Sequence, residues 1–401
     1  MQGESPLNMM RPQTGRARRH AAASVPRRRR LWPVVFAAAT VIVVAAGWSW
    51  LWSYAAAVAD RTLAGWVARE AAAGRSYSCA SQGTTGFPFR IEANCTGAAA
   101  RIESLRPPVA VSAKDITFTA QVYHPTALMG QITAPLTVAE PGQPPSYVAN
   151  WSLAQATVRG LPPAPDGLSV TLDQPRLDRM VGANASLEFQ ADTVKFDGRI
   201  VEGAANNNPV IHAVLRFTAA TAPTLHPLLA DPLQGDLEAV LRGFHDLSPK
   251  PWAERFRQMQ AAGGNIEIKY LRLARADAAI LGAGTLTVNE HGKLDGLIRV
   301  AVVGIEHIVP LLGVDKVIGK GIDRLAGISQ GAPGLGALDR LMPGLSGVVR
   351  DSANASLVDN LKKMGQPTEI DKKPAIVLPL RFSDGAVYLG ILPLGAVPPL
   401  F

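Results

Sequence analysis

The stretch that most limits what this chain can become is LWPVVFAAATVIVVAAGWSWLWSYAAAVA, Leu31 to Ala59, which contains no charged side chain. About 20 apolar residues in a helix cross the hydrocarbon of a bilayer, so this run is long enough to span. Arg11, Arg16, Arg18, Arg19 and Arg27 to Arg30 precede it, with Glu4 as the one acid among them. Trp32 lies at one end and Trp48, Trp50, Trp52 and Tyr54 at the other, in the manner of interfacial aromatic belts, and the arginines predict a cytoplasmic N-terminus. The expected organisation is a basic cytoplasmic tail over 1–30, a transmembrane helix over 31–54, a helical stalk over 55–75 and an exported body over 76–401. The alternative is a signal cleaved after Ala59, where Ala57-Val58-Ala59 fits a processing site and the body would be released as a soluble periplasmic protein.

The same arginines explain a net charge that would otherwise point to a polyanion. The chain carries 40 Lys and Arg against 32 Asp and Glu, a net charge of +8. Eight arginines less one glutamate place +7 within residues 1–30, which leaves +1 for everything after them. A nearly neutral body has no long-range field to hold nucleic acid, and none is expected as a partner. With 47% hydrophobic and 18% charged residues, the body can bury a core.

Cys79 and Cys95 are the only cysteines. In an oxidising compartment they predict a disulfide, whose closure over the 15 intervening residues contributes about 3 kcal/mol on the chain-entropy account. A free or redox-active pair is the alternative; a metal site lacks nearby partners, since no histidine lies between His20 and His124. Between the cysteines runs GFPFRIE, in which Phe87, Phe89 and Ile91 alternate with Pro88, Arg90 and Glu92, the period of a strand with one buried face. Pro88 assigns it to an edge or a first strand, and the crosslink would pin it. Phe87, Phe89 and Ile91 are therefore the candidate apolar groove or edge.

Period-two alternation recurs through the body. Ile116, Phe118 and Ala120 show it, as do Leu168, Val170 and Leu172, then Leu187 and Phe189, then VIHAVLRFT from Val210 and IEIKYLRL from Ile266. Hairpins are expected across Asn289 to Gly292 and at Asp384-Gly385. The fold class is mainly β with helical insertions (α+β): an N-terminal transmembrane helix followed by an elongated antiparallel sheet. Helical segments are expected near 223–262, as Pro223–Leu247 broken at Pro232 and as Pro251–Ala262, and near 304–365 around a Gly/Pro-rich linker at 327–347.

Motifs of catalysis fail on their own chemistry. Gly327-Ile328-Ser329-Gln330-Gly331 satisfies G-x-S-x-G, but that elbow needs a histidine downstream, and the last one here is His307. Gly313 to Gly321 has one residue too many for a phosphate loop, with Gly321 where Ser or Thr should be. Gly282-Ala283-Gly284 opens a strand and offers no helix N-terminus to a pyrophosphate. The seven histidines never stand three or four apart. No catalytic residue, cofactor or metal is assigned. What remains is the apolar face of the sheet, covered by the chain's own helices or left to hold an acyl chain, with Phe87 and Phe89 near its membrane-side mouth.

GFPFRIEANC with its paired cysteine, QVYHPTALMGQITAPLTV (Gln121 to Val138), the GTLTVNEHGKLDG hairpin and the C-terminal LPLRFSDGAVYLGILPLGAVPPL resemble the domain of unknown function 2125 family. The resemblance covers nearly all of 31–401 in order. It implies a membrane-anchored envelope protein of Gram-negative bacteria and transfers no catalytic residue, because the family has none assigned. A weaker likeness of architecture links such proteins to AsmA-type lipid-handling proteins, which is analogy only. The function expected is that of a single-pass inner-membrane protein whose periplasmic β-rich domain binds or scaffolds envelope components, lipid among them, without catalysis. The other expectation is an assembly partner that docks a second envelope protein.

Overall fold

The computed structural model describes residues 32–103, 105–161, 164–182, 184–248, 250–276, 278–309, 345–390 and 392–401. The tail at 1–30, the G-x-S-x-G elbow, the phosphate-loop-like stretch and most of the 327–347 linker lie outside them. The chain divides into two compact units, 1–53 and 54–401.

Helix α1 runs from Trp32 to Ala72, as the uninterrupted apolar and alanine-rich sequence requires, and is long and apolar enough to cross a membrane. Its first part, in the first unit, has every described side chain at least partly exposed. From Tyr54 onward it belongs to the second unit.

That unit is built on one sheet in which every pairing is antiparallel and nearly every strand pairs with its neighbours in sequence. Strands β1 (Arg75–Ser78) and β2 (Ser81–Thr85) lie along the same side of β3 (Arg90–Ile102). Then follow β4 (Val109–Gln121) and β5 (His124–Ala139). The next three rungs are strands interrupted midway: β6 (Tyr147–Asn150) with β7 (Leu153–Arg159), β8 (Gly167–Asp173) with β9 (Arg176–Val181), and β10 (Asn184–Gln190) with β11 (Thr193–Ala204). The rungs β12 (Asn207–Ala220), β13 (Leu233–Leu241), β14 (Ile266–Arg275), β15 (Ala278–Val288) and β16 (Leu294–Val303) complete the meander. β16 pairs with β18 (Lys373–Ser383), whose far side carries β17 (Gln366–Ile370) and β19 (Ala386–Leu389); β20 (Leu392–Ala396) closes on β19. Both expected hairpins are present, β15–β16 and β18–β19.

Two sequence expectations are corrected. Pro223–Leu247 is not a helix: Pro227–Leu229 forms one 3-10 turn, and Leu233–Leu241 is strand β13. Leu233, Leu237, Ala239 and Leu241 alternate with polar residues except Val240, and this period prevails over leucine's helical propensity once neighbours pair on both sides. Pro251–Ala262 does contain a helix, α2 (Trp252–Ala261). The second correction concerns Phe87 and Phe89, which lie in the turn before β3, with Ile91 alone of the three in the strand. β3 is not an edge either, since it is paired along both sides.

The remaining helices follow β16: α3 (Ile305–Ile308) and α4 (Leu345–Met364). α2 packs on β15, α3 on β15 and α4 on β17 and β18. The larger buried cluster joins Ile305, Ile308 and Val309 with Val358 and Leu361 of α4 over Leu286, Ile298, Val300, Val302 and Leu378. A smaller one sets Met259 of α2 against Phe244 and Val288, with Phe256, Leu400 and Phe401 beside it. Among the described residues, neither cluster draws on any strand before β12.

Candidate functional site

Residues directly opposite in an antiparallel ladder project from the same face, so register identifies the faces of this sheet. One register line runs Ala93, Phe118, Gly130, Ala156, Val170, Phe196, Leu215, Leu237, Leu271, Gly282, Val300, Leu378, from β3 to β18. Every member is apolar or glycine. The adjacent line, on the opposite face, runs Asn94, Thr117, Gln131, Gln155, Thr171, Lys195, Arg216, Asp236, Arg272, and only then turns apolar at Leu281, Ala301 and Val377. The sheet therefore has one apolar face from end to end and one polar face over its N-terminal strands.

What covers the apolar face changes along it. Val300 and Leu378 are 3% and 1% exposed beneath α3 and α4. At the other end Phe118 is 40% and Leu168 37% exposed, and the line from Ala93 to Leu271 holds no fully buried residue. Six rungs, β3, β4, β5, β7, β8 and β11, thus present this face away from the strands on which α2, α3 and α4 pack, and α1 meets it at the β2–β3 side, where Asp60 accepts from Thr84 opposite Ala93. At about 4.8 Å between strands they extend some 24 Å, against about 15 Å for one leaflet's share of a bilayer's hydrocarbon.

The large side chains here do not stand up to fill the surface. A methyl placed on Gly130 would meet the Phe118 ring at 3.3 Å, and one on Gly235 would meet the Phe217 ring at 2.1 Å. Each ring lies over a glycine of the next strand, which protects that backbone and keeps the surface low. Ala156 and Ala154 on β7 continue it without bulk. Near Gly97 a concavity of about 450 Å³ is lined by Ala98, Ala99, Ala113 and Pro135 with Ser112, Lys114 and Thr137 at its margin.

The polar face is occupied by its own pairs. Arg159 and the Ser169 hydroxyl both donate to Asp197, and that hydroxyl, followed by the guanidinium, holds the carboxyl below its ordinary range against the effect of desolvation. Arg216 pairs with Asp236 at 3.2 Å, and His212 Nε2 lies 2.8 Å from Glu238 Oε1. Lys250 and Ser248 hold the Asp246 carboxyl well below the usual carboxylate range. Thr117 donates to Asn94, and Ser112 and Thr137 share a hydrogen bond. Apart from the Asp246 contacts, which lie within one loop, these are cross-strand contacts that stabilise the ladder. A second cavity, about 390 Å³, is rimmed by Arg272, Arg275 and Lys373, with Arg272 held by Asp371 at 3.4 Å and Arg275 by Asp231 at 2.9 Å. Among the described residues no group of three or more His, Cys, Asp or Glu side chains is placed to hold a metal ion.

The sequence-predicted residues gather at one corner. Cys79 and Cys95 form a disulfide with a Cα separation of 5.4 Å, which ties the chain between β1 and β2 to β3. Cys95, Ile91 and Ala93 lie on the apolar side, opposite Ile116, Ala120 and Phe118. Phe87 and Phe89 are 54% and 64% exposed at the tip that joins β2 to β3. Sequence reasoning missed the continuity of the face through Gly130, Ala156, Leu215 and Leu237; their period-two settings carried it, but their partners across the sheet did not show.

The sequence model of a family described as Uncharacterized protein conserved in bacteria (DUF2125) matches residues 52–398. No curated protein matches the chain.

Proposed function

Since the chain belongs to the uncharacterised bacterial DUF2125 family, whose name assigns no activity, we propose a role from its geometry: a single-pass inner-membrane protein whose periplasmic domain binds lipid acyl chains without catalysis. The observation that carries this is the apolar row that passes from fully buried under α3 and α4 to partly exposed over β3–β11 while remaining apolar throughout. A surface exposed only to water has no physical reason to stay free of charge across six strands when the face behind it is polar. The disulfide fits an oxidising compartment, and the arginines before Leu31 fit a cytoplasmic N-terminus.

The energetics favour transient holding. Each methylene moved from water onto such a face contributes about 0.8 kcal/mol, but a chain leaving a bilayer is already out of water. Transfer from membrane to sheet is then close to balanced, so lipid can be taken up and given back.

The test is photo-crosslinking in living cells with a photoreactive amino acid at Ala156, and at Gln155 as the control on the opposite face. Lipid adducts identified by mass spectrometry at position 156 and not at 155 are expected. Absence of lipid at 156, or equal labelling at both, overturns the reading. The second reading, an assembly partner, is supported by the short outer strands β2 and β20, each paired along one side only among the described residues. A single protein adduct at 156 in place of lipid favours it.

A further inference from the structure

We infer that the turn at Gly86–Arg90, together with Tyr123, is a second membrane contact that rests its aromatic rings in the headgroup region of the bilayer. The turn is shaped to expose them. Gly86 has φ 103°, and a Cβ there would meet the Arg90 carbonyl oxygen at 2.7 Å, so only glycine fits. The Arg90 amide donates to the Gly86 carbonyl at 3.1 Å and closes the loop, and the Val122 amide donates to the Phe89 carbonyl at 3.0 Å. Those bonds bring the β4–β5 turn beside it, where Tyr123 is 64% exposed. Three large aromatic side chains thus share one corner, 54%, 64% and 64% exposed, on a frame crosslinked by Cys79–Cys95. Tyr123 joins a ring and a polar tip in one side chain, as the bilayer interface favours, and the two phenylalanines add apolar surface with Arg90 alongside.

The direction of the stalk indicates why that partner is a bilayer. Within the second unit, Trp66 of α1 stacks on Tyr77, which is opposite Ala100, and Asp60 accepts from Thr84 at 2.8 Å, opposite Ala93. Going back along the helix therefore leads toward the start of β3. Thr84 stands two residues before Gly86, so the stalk touches the chain beside the aromatic turn, and in sequence the stalk follows the apolar span. The hairpin at the opposite end of the rungs, Glu140 to Ser146, reads EPGQPPS and has no aromatic residue.

The contact stands independently of lipid carriage, although under the proposed function it would set the partly exposed face at the surface of the membrane. The full chain is reconstituted in vesicles of phosphatidylethanolamine and phosphatidylglycerol as Phe89→Cys or Gln143→Cys, labelled with a polarity-sensitive fluorophore and read against quencher-bearing lipids. A label in the headgroup and upper acyl region lies about 5–10 Å into the interface, so quenching about threefold stronger at 89 than at 143 is expected, with a blue-shifted emission. Equal quenching overturns the contact even where Ala156 crosslinks lipid. Strong quenching at 89 without lipid at 156 upholds the contact and removes lipid carriage. Should Phe89→Cys disturb the turn, a label at Tyr123→Cys gives the same reading on the neighbouring strand connection.

Discussion

The strands under α3 and α4 and the strands from β3 to β11 continue one apolar row, yet they meet different surroundings. In the first region Val300 and Leu378 are sealed, and the reverse face is apolar as well at Leu281, Ala301 and Val377. In the second, the reverse face carries Asp197 with Arg159 and Asn94 with Thr117, while the apolar face lies away from the strands on which α2, α3 and α4 pack. The first is an ordinary core on its helix-covered side, with an apolar reverse face that is partly buried. The second is held by ladder bonds, cross-strand pairs and a disulfide, which leaves its apolar side available without loss of the fold.

Substitutions can break that contrast. Leu378→Ala should cost about 3–4 kcal/mol, as buried leucine truncations do, read as the denaturant midpoint of the full chain in detergent. A smaller loss would mean that α4 does not seal the row. Cys79→Ala should cost about 3 kcal/mol by freeing the loop it closes, with membrane insertion unchanged; equal melting of oxidised and reduced protein would deny the crosslink a structural role. Phe118→Ala, on the open side, should cost about 1–2 kcal/mol, less than at Leu378 because the ring is only partly buried, while reducing lipid adducts at Ala156. A cost as large as that at Leu378 would show the open region to be covered after all.

The smallest effect concerns acid. The folded-state pKa of Asp197 is depressed, first by the Ser169 hydroxyl and then by Arg159, so its contribution is present above the unfolded value and is lost as pH falls through the folded one. Asp197→Asn should therefore flatten the decline in stability below about pH 4, seen by comparing midpoints at neutral and acid pH. An unchanged acid slope would place the pair outside the ladder's stability.

Much of this was legible in the sequence for a local reason. Ile116, Phe118 and Ala120, or Leu168, Val170 and Leu172, announce a strand by themselves because period two is a property of adjacent residues. The hairpins at Asn289–Gly292 and Asp384-Gly385 are equally local. Phe87 and Phe89 misled because Gly86 and Pro88 make a turn with the same alternation, and Leu233–Leu241 misled because leucine density near prolines resembles a broken helix. That Phe118 faces Gly130, or Leu237 faces Leu271, depends on registers set independently in each hairpin. The division into covered and open regions depends on helices that arrive only after β16, and no strand before them records it.

The order of the rungs has a consequence for how the protein is made. Apart from β1 and β2, which pair with β3 next along the chain, and β17, which pairs with β18, each rung through β16 pairs with one already built. A polypeptide threaded through a translocation pore from its N-terminus could zip up as it emerges, every new segment finding a ready template. Loop-closure entropy stays small at each step, and little sticky edge is left waiting for a distant mate.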